Sequence, residues 1–180
     1  MRQLNLRQLI FMALCCDLGL FAKKLILPAA NLVTDVLHIP GGIGTSFSLL
    51  FLITAAFLLP GNWCGAIMGV VQSLMAVGFG MVGSMGALAP IGYIVPGVVI
   101  DLVKRLWTRG RLGLEECVLL ASVLASVSAS LSANCIVFHL WGPPLWLYCG
   151  VAATSGGICG VLAVSLWERL RPVITGGTVS

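Results

Sequence analysis

The sequence predicts an all-α membrane protein with six transmembrane helices. Three observations predict it: an apolar excess too large for a soluble fold, six apolar runs of spanning length, and the segregation of basic residues. Of 180 residues, 59% are hydrophobic and 9% are charged, against roughly 25% charged in ordinary soluble domains. Mean hydropathy is +1.07. So few polar groups cannot cover a soluble domain of this size, so the excess is expected to face lipid. The length suits one domain.

A spanning helix needs about 20 mostly apolar residues. Six stretches qualify: 6–27, 43–59, 62–80, 85–103, 116–138 and 145–167. Helices are expected because hydrocarbon leaves no partner for a free backbone N–H or C=O. The runs lack the alternation of barrel strands. A loop is expected over 28–42, because Pro28 opens it and Pro40-Gly41-Gly42 closes it. Pro60-Gly61-Asn62 reads as a tight turn, and His139 to Pro144 as another. The tail beyond Arg171 is Gly- and Thr-rich and is expected to be short and mobile. Arg2 and Arg7 precede the first apolar run, but no small-residue cleavage site follows. That run is expected to stay as the first helix.

Basic residues give the bundle a direction. An even number of crossings puts both termini on one side. That side collects Arg2, Arg7, Lys104, Arg105, Arg109, Arg111, Arg169 and Arg171, and the other only Lys23 and Lys24. The positive-inside rule then places both termini in the cytoplasm. Polar residues gather toward the outer side: Asn31, Thr34, Asp35 and His38 in the first loop, Asn134 and His139 at the outer end of the fifth helix. Tyr93, Trp146, Thr154 and Ser155 lie in outer halves, with Gln72 near mid-helix. A polar cluster open to the outside suits capture of a small molecule.

Several chemistries are missing. There is no G-x-x-x-x-G-K-[ST], no H-E-x-x-H and no G-x-S-x-G. The seven cysteines form no C-x-x-C pair and sit in apolar stretches, where Cys acts as a small hydrophobe. Nothing calls for a cofactor, a metal or nucleic acid. Asp101, Glu115 and Glu116 stand beside arginines and read as helix-end charges. The run from Lys104 to Arg111 reads as a juxtamembrane cluster that anchors on anionic lipid.

Small residues recur four apart: Gly65 and Gly69; Ala121, Ala125, Ala129 and Ala133; Gly156 and Gly160. Such ridges let helix backbones approach closely, for packing within the bundle or for a partner helix. The aromatic residues Phe79, Tyr93, Trp141, Trp146 and Tyr148 suit an interfacial belt or stacking on a flat ligand. Asp17 is the anomaly. A carboxylate in mid-helix costs about 2.5–3.5 kcal/mol on insertion scales. An internal hydrogen bond, a wet cavity or a partner protein would each offset that.

Four stretches also carry a resemblance: Ile39 to Gly42; Gly69-Val-Val-Gln72; Gly83 to Gly86 with Tyr93 to Asp101; and Ser155 to Gly160. In this order and topology the chain resembles the S components of energy-coupling factor (ECF) transporters, and looks closest to the branch associated with thiamine and its pyrimidine precursor. The resemblance implies a six-helix subunit in a prokaryotic cell membrane that captures a vitamin-like molecule outside without catalysis. It also implies a transmembrane T protein and two ATPases as partners. Family members dock through Ala-x-x-x-Ala in the first helix, and the matching positions here are Ala13 and Asp17. Ligand residues implied by position are Asn31, Asp35, His38, Tyr93, Asn134, His139, Trp146 and Ser155. Two other classes stay open: a proton-coupled carrier or channel using Asp17, and a small membrane enzyme.

Overall fold

Uniformly apolar runs with few β-branched clusters fold here as helices, and no strand occurs among the described residues. The computed structural model describes residues 6–37, 43–81, 86, 88–110, 112–137, 139 and 141–174. Six α-helices follow in order: α1 Leu6–Leu37, α2 Ile43–Leu58, α3 Cys64–Gly78, α4 Ala89–Thr108, α5 Leu114–Leu131 and α6 Pro143–Ile174. The stretches 114–136 and 143–171 are each long and apolar enough to cross a membrane. The expected tail begins after Arg171, but α6 runs on to Ile174; the rest of the tail, expected to be mobile, lies outside the described residues.

The first helix corrects the expected loop over 28–37, while 38–42 lie outside the described residues. α1 continues through Pro28 to Leu37 and counts 32 residues, about 48 Å at 1.5 Å per residue. Proline removes a single N–H from the ladder, and a helix tolerates that loss where its flanks stay helix-forming. Residues 29–37 include Ala, Leu, Val and Asn without another breaker. Asn31 and Asp35 therefore sit on helical backbone and not in a loop. At the other termini, α4 starts at Ala89, four residues past its expected start.

α2 is the hub and touches the other five helices. Its Leu52, Ile53, Ala55 and Ala56 are wholly buried. The small-residue ridges do the close packing. A methyl on Gly65 would stand 2.7 Å from the Gly97 carbonyl oxygen, and one on Gly69 would stand 2.6 Å from that of Tyr93. These two glycines seat α3 against α4. Gly156 and Gly160 seat α6 on α5 in the same way, against Ser126, Ser122 and Leu119. Ser122 Oγ donates across this seam to the Gly156 carbonyl at 2.6 Å. Ala121, Ala125 and Ala129 face inward and are buried.

The outside of the bundle is oily. Leu14, Leu18, Phe21 and Leu25 on α1 are exposed, as are Leu74 and Val77 on α3 and Ile158, Val161 and Leu162 on α6. Soluble monomers rarely show contiguous apolar faces of this extent.

α5 runs into a π-helical turn, Ser132–Val137. Asn134 causes a local conflict there: its Nδ2 donates to the Ser130 carbonyl at 2.8 Å. A side chain that takes a backbone acceptor widens the ladder.

Candidate functional site

The two ends of the bundle differ in chemistry. One end holds the C-termini of α2, α4 and α6 and the N-termini of α3 and α5. It is aromatic and basic. The Arg105 guanidinium lies 4.4 Å from the Trp63 ring centre, and that of Arg171 lies 5.1 Å from Trp167. Phe57 and Trp107 pack at 5.8 Å. The Glu116 carboxylate accepts the Gly113 N–H at 3.1 Å and so caps α5. An open groove of about 620 Å³ runs between Phe57, Trp107, Glu115, Glu168 and Arg171.

At the same end, Asp101 and Lys104 depart from the expected helix-end and connector charges. Both are buried. Asp101 accepts the N–H groups of Gly65 at 3.0 Å and Ala66 at 2.7 Å. Those are free N–H groups of the first turn of α3. Lys104 Nζ donates to the carbonyls of Ala56, Leu59 and Gly61 at 2.6, 2.7 and 2.9 Å. The first two are free acceptors at the end of α2, and the third lies in the connection to α3. The α3 N-terminus needs this help because its cap, Trp63, has φ 68° and no side-chain bond of its own.

Toward the other end a polar cavity lies inside the bundle. Lys23, Thr45, Ser48, Leu49, Gln72, Gly92, Tyr93 and Ala129 line it, so α1 to α5 all contribute. It encloses about 20 Å³, room for one oxygen-sized group. Lys23 Nζ donates to Tyr93 Oη at 2.9 Å and lies 4.6 Å from the ring centre. Gln72 is buried and donates from Nε2 to the Cys16 carbonyl at 3.3 Å. Ser48 is 4% exposed, and its Oγ has no partner among the described residues. Gly19 gives Gln72 its space: a methyl there would stand 2.6 Å from Gln72 Nε2.

Of the residues expected to bind a ligand, Tyr93 lines this cavity. Ser155 is not in the lining and has a different role: Ser46 Oγ lies 2.9 Å from Ser155 Oγ and 3.2 Å from Ser126 Oγ, a buried knot joining α2, α5 and α6. Asn134 is buried on its π-turn, bonded to Ser130. His139, with φ 50°, is exposed, and Trp146 is 79% exposed. Asn31 and Asp35 lie further along α1, with side chains outside the description, and His38 lies outside the described residues. Lys23, Ser48 and Gln72 were not among the expected ligand residues. Gln72 was visible as a polar residue in mid-helix and Lys23 as a cation inside an apolar helix.

Asp17 does not face the core. It is half-buried beside a groove of about 370 Å³ between α1 and α3, with Leu20, Phe21, Lys24, Met75 and Phe79. Ala13, one turn earlier, is exposed. Compared with protein-family models, curated proteins and solved structures, the chain matches none.

Proposed function

We propose that this chain is the substrate-binding membrane subunit of an ECF-type micronutrient importer. In this reading it crosses a prokaryotic cell membrane six times, with both termini in the cytoplasm. It captures a small molecule at the outer end of the bundle. A transmembrane T protein and two ATPases then drive delivery inward. The groove beside Ala13 and Asp17 serves as the docking face for the T protein.

One observation carries the reading. Five helices converge on a polar cavity at the end of the bundle away from the basic cluster. An apolar bundle gains nothing in stability from a buried hydroxyl without a partner, and a lysine among apolar helices is costly. Groups placed against stability in this way are expected where a ligand is gripped. The oily outer faces and the basic end support the membrane placement.

The test is purification in detergent followed by mass spectrometry of co-purified small molecules. The reading expects one vitamin-like compound at about 1:1, with a Kd between nanomolar and micromolar. Uptake by the lone subunit, driven by a pH gradient without ATPases, would overturn it.

A further inference from the structure

We infer that the Lys23 cavity receives one oxygen of an oxyanion, a carboxylate or phosphate group on the captured molecule. This deepens the proposed function and rests on its reading of the cavity as the ligand site.

The first argument is charge. Lys23 is the only charged residue in the described lining. The chain has six acids, and none of them is placed to neutralise it. Asp17 faces the groove between α1 and α3. Asp101 is engaged at the start of α3, and Glu115, Glu116 and Glu168 line the groove at the basic end. Asp35 shares α1 with Lys23 but lies about 18 Å further along the axis. A half-buried ammonium whose hydrogen-bond partner is a neutral hydroxyl attracts an anion to its side, and the ligand is left to supply it.

The second argument is donor geometry. The Tyr93 hydroxyl accepts from Lys23, so its own hydrogen is free to donate. Ser48 Oγ, buried and without a partner among the described residues, lies in the same wall. Gln72 Nε2 spends one N–H on Cys16 and keeps the second. A cation and three further donors therefore surround one oxygen-sized space. Hydrogen bonds from such donors to a charged acceptor are about twice as strong as neutral ones. A cationic ligand would meet the Lys23 ammonium and be repelled. The chemistry favours an acid over a thiamine-like cation.

Lysine footprinting tests this on the unmodified chain. The chain has three lysines, and exposed Lys24 serves as the internal standard beside half-buried Lys23. The protein, in discs of phosphatidylcholine, is treated with an amine-acylating reagent at constant ionic strength. Acetate, inorganic phosphate or neutral acetamide is added, and peptide mass spectrometry reads each site. Acetate or phosphate should slow acylation of Lys23 relative to Lys24, roughly tenfold at about ten times its Kd. Acetamide should not. The Ser48→Ala variant should need more acetate for the same protection. Equal protection by acetamide, or none by either anion, overturns the inference. Discs containing phosphatidylglycerol separate the sources: protection there without added anion assigns the oxyanion to a lipid headgroup. A neutral or cationic co-purified compound that is lost in Tyr93→Phe would sink the oxyanion and leave the ligand site standing. No recovered compound together with no footprint would sink both.

Discussion

Asp101 and Lys104 stand one turn apart on α4 and tie down opposite flanks of the same connection. The carboxylate holds the first N–H groups of α3, and the ammonium holds the last carbonyls of α2. Each charge meets the helix end of opposite polarity. Short helices α2 and α3 thus obtain from a third helix the caps that their own connection, Leu59 to Trp63, does not supply. α4 is then clamped twice to the neighbours it packs on, here by charge and further along by the Gly65–Gly97 approach.

This arrangement predicts an ordered series of losses. Asp101→Ala frees two buried N–H groups and should cost about 2 kcal/mol or more. Asp101→Asn keeps one acceptor oxygen and should cost less. Lys104→Met strips three carbonyls of their partner and should equal or exceed Asp101→Ala. Thermal unfolding in detergent measures all three. Variants as stable as the parent would show that water replaces these caps freely.

Close backbone approach makes a second prediction with its own control. Gly65→Ala forces a methyl onto the Gly97 carbonyl, which belongs to backbone and cannot swing aside. Overpacking of this kind costs about 1–3 kcal/mol. Gly150, on α6, has open space where a methyl would go. Gly150→Ala should therefore be neutral or stabilise by up to about 1 kcal/mol through helix propensity. Equal behaviour of the two variants in the same melting assay would count against the α3–α4 seam.

These contrasts show what the sequence made legible. The helices and their small-residue seams were visible because apolar length and four-residue spacing are local patterns. Gly65, Gly69, Gly156 and Gly160 could be picked out before any contact was known. The roles of Asp101 and Lys104 were hidden, because their partners lie 35 to 48 positions away in sequence. A charge near an arginine reads as solvated when only its neighbours are considered. Pro28 misled for a related reason: one lost hydrogen bond is a strong local mark but a small term in a 32-residue helix. At the cavity, Tyr93 was readable as an aromatic near a helix start. Ser48 was not, since an unpartnered hydroxyl is a property of the packed bundle.

The proposed topology predicts the behaviour of reporter fusions. With both ends in the cytoplasm, green fluorescent protein fused after Ser180 should glow and alkaline phosphatase there should be inactive. Insertion after Gly142, between α5 and α6, should give the reverse. Active phosphatase at the C-terminus would invert or break the six-span reading, since the basic end of α4 and α6 would then lie outside.

Tyr93 and Trp146 separate the cavity from the aromatic rim. Tyr93 lines the cavity, and its hydroxyl accepts from Lys23. Trp146 is 79% exposed and is absent from the lining. Tyr93→Phe keeps the ring and removes only the hydroxyl, so packing is preserved while Lys23 loses its neutral partner. Binding of the co-purified compound should weaken about tenfold, or about 1.4 kcal/mol. Trp146→Phe should leave the Kd unchanged. Titration by isothermal calorimetry measures both without relying on tryptophan fluorescence. The opposite ranking would move the binding site from the Lys23 cavity to the rim around α6, because an exposed indole gains affinity only from a ligand stacked on it.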